Sequence, residues 1–240
     1  MTKLLWAASA CLLAAFAAQS AAAEEEKKRR SLDARITLGV EVVPEHLGAD
    51  DVQLGPLANI DFRRGSDEFV FEAPDEKFGL VAVTLGDFSF GPAINIEGSR
   101  RPSDVGADVD KVSTTFEAGA FVQYWLGESF RLRSEMRHGI GGHDSFVGNV
   151  SADYVARDGD KYLFSVGPRM LFSDGGYQRA YFGVTPEVAA RTGLPTFRPD
   201  GGIYGVGAAA SLLFQLGGPW GVYTFARYER VLEGAEESPL

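Results

Sequence analysis

The sequence predicts an all-β protein, an antiparallel up-and-down β-barrel that crosses a membrane. Three observations predict it: apolar and polar residues alternate along most of the chain, the joins between the alternating segments are short and long by turns, and an apolar leader opens the chain. Period two is a strand signature, because successive side chains of a strand point to opposite faces.

The leader has the parts of an export signal. Lys3 supplies a positive start, and Leu4 to Ala18 is an apolar run with Trp6, Leu12, Leu13 and Phe16. Ala21-Ala22-Ala23 then gives the small residues of a cleavage site. Residues 1–23 therefore read as a secretory signal peptide cut after Ala23. The run of roughly 15 apolar residues is short for a membrane-crossing helix. Cys11, the only cysteine, sits inside this run. A lipoprotein cut before Cys11 would leave most of the apolar run on the mature chain, with Ala8 where the lipobox starts, so that reading is rejected. The mature chain then has no thiolate nucleophile or thiolate metal site. The expected location is the outer membrane of a Gram-negative cell.

Glu24 to Arg30 (EEEKKRR) is a charge block, and residues 24–31 read as a solvated periplasmic lead-in. Residues 32–240 read as the barrel. The formal charge of −10 and the absence of a basic patch exclude a nucleic-acid partner. A mean hydropathy of −0.07 fits a membrane barrel, whose strands average a lipid face with a polar face.

Each strand has two distinct faces. Leu32, Ala34, Ile36, Leu38, Val40 and Val42 oppose Asp33, Arg35, Thr37, Gly39 and Glu41. Phe130, Leu132, Ser134 and Met136 oppose Arg131, Arg133, Glu135 and Arg137. Similar patterns begin at Phe88, Phe116 and Phe146. The apolar face often begins or ends in an aromatic residue, as at a bilayer interface. Strands are expected at 32–44, 54–64, 67–73, 77–85, 87–97, 112–125, 128–140, 144–156, 160–173, 203–216 and 219–232.

The joins at Arg64-Gly65-Ser66, Gly86, Leu126-Gly127, Arg157-Asp158-Gly159 and Gly217-Gly218 are tight. Those at 45–53, 98–111 and 174–202 are long, with shorter ones at 74–76 and 141–143. Short periplasmic turns alternating with longer outer loops mark a transmembrane barrel, whereas Greek-key links of a sandwich do not keep that rhythm. If the first strand runs outward, every longer join lies outside. Eleven strands is an odd number, and such barrels have an even one, so about 12 are expected. The loop-like end Glu236-Glu237-Ser238-Pro239-Leu240 suggests that the closing strand is missing and the barrel is C-terminally incomplete. Pro56, Pro92 and Pro168 fall inside strands, where a missing N–H usually marks a bulge or an edge.

No residue is assigned a catalytic, cofactor-binding or metal-binding role. Arg35, Glu41, Glu117, Arg131, Arg133, Glu135, Arg137, Asp153 and Arg169 share the inner, polar face. They would either line an anion-favouring pore or form opposite-charge pairs that fill a narrow barrel. A ring of about 12 strands encloses far less than a porin, which favours filling. His138, His143, Asp144 and Ser145 hold the residue types of a Ser–His–Asp site, but adjacency in a loop is not triad geometry, and no nucleophile elbow surrounds Ser145. These histidines and His46 show no metal-ligand spacing. The loop acids Asp50, Asp51, Asp104, Asp108 and Asp110 lack the pattern of a calcium loop and read as solvated.

Residues 181–200 read YFGVTPEVAARTGLPTFRPD. Thr185 is suited to cap a helix N-terminus, Pro186 to its first position and Gly193 to its end, with Pro195 blocking continuation. A helix of about two turns is expected here, in the longest loop. This segment resembles the MipA/OmpV family of outer-membrane proteins in its YFGVT start, the pair Ala189-Ala190 and the Thr192-Gly193-Leu194-Pro195 exit. Pro44 to Asp51 (PEHLGADD) resembles the family's first loop, with Leu47 where an aromatic is usual. Gly55-Pro56-Leu57, Phe90-Gly91-Pro92, Gly119-Ala120-Phe121 with Tyr124, Ser165 to Pro168 and Tyr228 to Leu232 also fit, so the likeness spans nearly all of the mature chain.

The resemblance implies a non-enzymatic scaffold that links a lytic transglycosylase to a penicillin-binding protein in peptidoglycan biosynthesis, or a role in envelope integrity. It brings no catalytic residues and no cofactor. Outer-membrane lipid and lipopolysaccharide would be the surroundings. The rival readings are a small-solute channel and a lipid-modifying barrel enzyme.

Overall fold

The computed structural model describes residues 31–44, 52–65, 67–232 and 234–240. The expected signal peptide, most of the charged lead-in, His46, Asp50 and Asp51 lie outside the described residues. The chain divides into two compact units. One comprises residues up to Val40 with Pro56–Phe71, and the other comprises Glu41–Gly55 with Glu72–Leu240.

The strands β1 (Leu32–Pro44) and β2 (Val52–Arg64) pair in a sheet of their own. In the first unit, Arg35 pairs with Asp61 (2.8 Å) and Arg63 with Asp33 (3.1 Å). Both guanidinium groups lie over the ring of Phe69, at 4.4 and 4.6 Å from its centre. The expected strand at 67–73 is therefore corrected. No strand forms there, although Phe69, Phe71 and Ala73 are buried and Val70 is exposed as alternation required. The segment anchors through its side chains, and Pro74 stops any ladder from continuing through it.

The second unit is dominated by one antiparallel sheet. Its strands are β3 (Phe78–Gly79), β4 (Val83–Leu85), β5 (Phe88–Glu97), β6 (Thr115–Leu126), β7 (Phe130–Ile140), β8 (Phe146–Asp158), β9 (Tyr162–Ser173), β10 (Gly202–Gly217) and β11 (Trp220–Val231). From β5 to β11 every strand pairs with its neighbours in sequence, which is the expected up-and-down order. The sheet curls into half a barrel and is not closed. Its edges among the described residues are β11 and the β3–β4 side, and no twelfth strand lies among those residues. The tight joins at Gly86, Leu126-Gly127, Arg157-Asp158-Gly159 and Gly217-Gly218 link paired strands as expected, each with a glycine at positive φ, such as Gly127 (φ 65°) and Gly159 (φ 55°), whereas Gly65 (φ 62°) leads into the segment where no strand forms.

The expected strand 77–85 is split into β3 and β4, both paired with β5. Pro92 explains the split. Its carbonyl accepts from the Leu80 amide (3.3 Å), so its missing N–H would have faced Leu80 in return. The Leu80 carbonyl instead leans over Gly91, where a Cβ would overlap it. Gly167-Pro168 repeats the device. The β8–β9 ladder skips Ala152 and Asp153 opposite this dipeptide and resumes in register on both sides, and a Cβ on Gly167 would overlap the Ala152 carbonyl.

The sheet is inside-out relative to a soluble protein. On β7, Phe130, Leu132, Met136 and Ile140 are all more than half exposed, while Arg131, Arg133, Glu135 and Arg137 are buried. Aromatic pairs stand on the outer face near the tight turns. Phe88 meets Tyr124 at 4.5 Å, and Phe130 meets Tyr154 at 5.3 Å.

The longer joins carry three helices: α1 (Pro102–Val105), α2 (Gly175–Phe182) and α3 (Pro186–Thr192). The last is the expected one, with Thr185 Oγ accepting from the Val188 amide and Gly193 at φ 78°. Helix α2 was not legible, because Gly175-Gly176 are poor helix formers. Asp174 caps it by accepting from the Tyr177 amide (2.9 Å), and the same carboxylate accepts from the Phe146 amide (2.9 Å). Tyr177, Tyr181 and Phe182 pack with Val112, Val147, Tyr204 and Ala235, while Val184 and Val188 pack with Val109. The longer joins thus share apolar clusters at one end of the sheet. No helix among the described residues is long and apolar enough to cross a membrane.

Gly91→Ala and Gly167→Ala should each destabilise the folded protein by about 1–3 kcal/mol through backbone overlap. Gly98→Ala, which meets nothing within 4 Å, should be silent. Urea unfolding in detergent micelles, followed by tryptophan fluorescence, checks the difference.

Candidate functional site

Alternation on β6–β9 puts every second side chain on the inner face of the curl, where charged residues would be costly unless paired. They are paired, in one chain of alternating sign. Glu117 holds Arg137 (2.8 Å), Arg137 contacts Glu135, and Glu135 holds Arg133 (2.5 Å). Arg133 approaches Glu76 (3.7 Å), Glu76 contacts Arg131, and Arg131 holds Asp153 (2.8 Å). Asp153 also holds Arg169 (2.8 Å), which grips Asp75 (2.6 Å). The Arg131 and Asp153 side chains have no exposed surface at all. Arg133 also stacks over the Phe121 ring at 3.6 Å.

The carboxylates at one end of this chain come from outside the sheet. The strands β6–β9 supply Arg131, Arg133, Arg137 and Arg169 against Glu117, Glu135 and Asp153, an excess of positive charge. The Pro74-Asp75 turn brings Asp75 and Glu76 onto the inner face and offsets it. Glu76 fixes the turn itself, since its carboxylate accepts from the Ala73 amide (3.1 Å) and its own amide donates to the Ala73 carbonyl (3.1 Å).

At the other end, His143 Nε2 meets Glu117 Oε1 at 3.1 Å and Asn95 donates to Glu117 Oε2 at 3.0 Å. The His143 ring stands edge-on to Tyr177 at 5.0 Å, which joins the charge chain to the loop cap. Burial holds the Tyr177 and Tyr181 phenols above their ordinary range, so both stay neutral. Arg100 ties the cap together by donating to the carbonyls of Tyr181 (2.7 Å) and Asp110 (2.8 Å). Its guanidinium lies below its ordinary value because burial outweighs the nearby charges.

Of the inner-face residues expected from sequence, Glu117, Arg131, Arg133, Glu135, Arg137, Asp153 and Arg169 converge in this one network. Arg35 pairs with Asp61 within the first unit, and Glu41 is half-buried on β1. Asp75 and Glu76 were missed, since they were read as a loop between strands. The excess of arginine over carboxylate on the sheet was the available signal.

The Ser–His–Asp residues do not assemble. Ser145 Oγ donates to the His143 carbonyl (2.7 Å), the His143 imidazole faces Glu117, and the Asp144 carboxylate accepts from the Gly141 amide (2.9 Å). His138 stacks edge-on against Phe146 at 4.5 Å. Asp108 and Asp110 pair with Arg191 (3.6 and 2.5 Å), and Asp104 accepts from the Arg101 amide (2.7 Å). Among the described residues no group of three or more His, Cys, Asp or Glu side chains is placed to hold a metal ion.

The family model described as MltA-interacting protein MipA matches residues 36–240. The chain belongs to the MipA family. The matched residues include β2 to β11, the whole charge network and the loop cap. No curated protein and no solved structure matches the chain.

Asp153→Asn should cost about 3–5 kcal/mol, because it leaves two buried guanidinium groups short of a partner. Asp158→Asn, which breaks an exposed pair with Lys161, should cost less than about 1 kcal/mol. Urea titration of both variants in micelles measures the contrast.

Proposed function

We propose that this MipA-family protein sits in the outer membrane and works as a non-enzymatic scaffold, holding murein-synthesising enzymes at the envelope rather than transporting or converting a substrate. The observation that carries the reading is the inside-out sheet. Its outer face is apolar with aromatic residues near the tight turns, and its inner face is filled by paired charge. An apolar outer face suits lipid and the acyl chains of lipopolysaccharide. A filled inner face leaves the turns, the loop cap and the outer wall as contact surfaces.

The family's description as MltA-interacting supports a lytic transglycosylase as the first partner, and a penicillin-binding protein as the second belongs to this proposal alone. The tight turns at 127–129 and 159–161 would face the periplasm, where those enzymes act. A role in envelope integrity follows from the same tethering.

One observation favours a small-solute channel instead, the excess of arginine that the sheet itself presents. The two carboxylates of the 75–76 turn offset that excess, which favours a closed interior.

A photocrosslinker placed at Glu128 or Asp160 should capture a lytic transglycosylase or a penicillin-binding protein in cells. Recovery of no murein enzyme from either position removes the scaffold reading. In planar bilayers the protein should carry no steady current, and a sustained anion-selective conductance would favour the channel.

A further inference from the structure

Three inner-face arginines meet at the 75–76 turn, which belongs to no strand. Arg169 takes Asp75 in a two-pronged grip, Nε to Oδ2 at 2.6 Å and Nη2 to Oδ1 at 2.9 Å. Arg131 and Arg133 both reach Glu76, one to each of its oxygens. The two grips are neighbours, because Arg131 and Arg169 also share Asp153, each holding a different oxygen of it at 2.8 Å.

The turn is the outer layer of this arrangement. The side chains of Asp75 and Glu76 are 13% and 12% exposed, against 2%, 0% and 4% for Arg169, Arg131 and Arg133. The two carboxylates therefore occupy the side from which a solute would reach the arginines. The turn closes on itself through Glu76 and Ala73, and the ladders of β5–β11 do not pass through it, so it can withdraw without opening the sheet. Its fit is incomplete. Glu76 Oε1 is shared between Arg131 and the Ala73 amide, and Oε2 stands 3.7 Å from Arg133 Nε, beyond hydrogen-bonding distance. That buried Nε has no hydrogen-bond partner among the described residues.

A carboxylate carried on the chain is present at high effective concentration and keeps a free anion out. We infer that Arg131, Arg133 and Arg169 form a binding site for a small dicarboxylate, which the chain holds closed with its own Asp75 and Glu76. One end of the ligand takes the place of Asp75 on Arg169, and the other takes the place of Glu76 between Arg131 and Arg133. The class of ligand follows from the two grips, since a planar guanidinium fork matches a carboxylate. The site does not depend on the scaffold role, because the unaltered interior is closed in both readings.

Succinate is titrated calorimetrically into the full chain in detergent micelles, in a buffer free of carboxylate and phosphate. Asp75→Asn with Glu76→Gln removes both charges and keeps a side-chain oxygen for the Ala73 amide. The double variant should bind succinate roughly tenfold or more tightly than the unaltered protein, because its site is no longer occupied. Its unfolding midpoint should rise with succinate, as for any ligand that binds only the folded state. Acetate should bind the double variant more weakly than succinate does. Adding Arg169→Gln should remove the gain, and Asp158→Asn in the otherwise unaltered chain should produce none. If the double variant does not refold, Asp75→Asn alone frees Arg169 and carries the test with acetate, which should bind it roughly tenfold more tightly than it binds the unaltered protein. The inference is overturned if the refolded variant gains no affinity for its probe, if acetate matches succinate on the double variant, or if the gain survives Arg169→Gln.

Discussion

Arg131 and Asp153 face each other across β7 and β8 with no exposed side-chain surface, and the rest of the sheet's inner face is organised around such pairs. A buried ion without a partner is expensive, and a pair repays the loss of water only when its geometry and remaining hydrogen bonds are satisfied. The network meets that condition by extension. Each of its members touches at least one of opposite sign, and Asp75 and Glu76 offset the arginine excess that the strands leave. The register of β6–β9 follows from it, because a slip of one residue would turn every one of these charges onto the apolar face.

The same requirement bears on the turn that follows residues 67–73. The segment 67–73 forms no strand, and its Phe69 ring lies under Arg35 and Arg63. The Pro74-Asp75 turn brings Asp75 and Glu76 to the inner arginines. The sheet tolerates its prolines by a related accommodation, since each of Pro92 and Pro168 follows a glycine over which an unpaired neighbouring carbonyl can lean. These Gly-Pro steps keep register while omitting one bond of the ladder.

The filled interior and the apolar exterior together shape the functional reading. Under the proposed scaffold reading, a protein whose inner face is committed to its own charges offers its surfaces, rather than a path, to other molecules. The tyrosines of the loop cap pack on one another, and Tyr177 meets His143 edge-on at the end of the charge chain, so the inner network supports the longer loops.

The sequence alone determined the fold class, the antiparallel order, the tight turns and the helix at Pro186–Thr192, because these depend on local signals: period two, glycines at positive φ, and the Thr185 and Gly193 caps. It also determined which side chains share the inner face, from Glu117 to Arg169, since strand alternation fixes the face. Only the tertiary structure decided who pairs with whom. Asp75 and Glu76 lie far along the chain from Arg169 and Arg131, and no periodicity reports such a distant contact. Helix α2 was hidden for a like reason. Its start, Gly175-Gly176, has little helix propensity, and it forms because Asp174 caps it and its tyrosines find Val112, Val147 and Tyr204 to pack against. Ser145 and His143, neighbours in sequence, are turned to separate partners by Glu117 and a backbone carbonyl, which adjacency along the chain does not reveal.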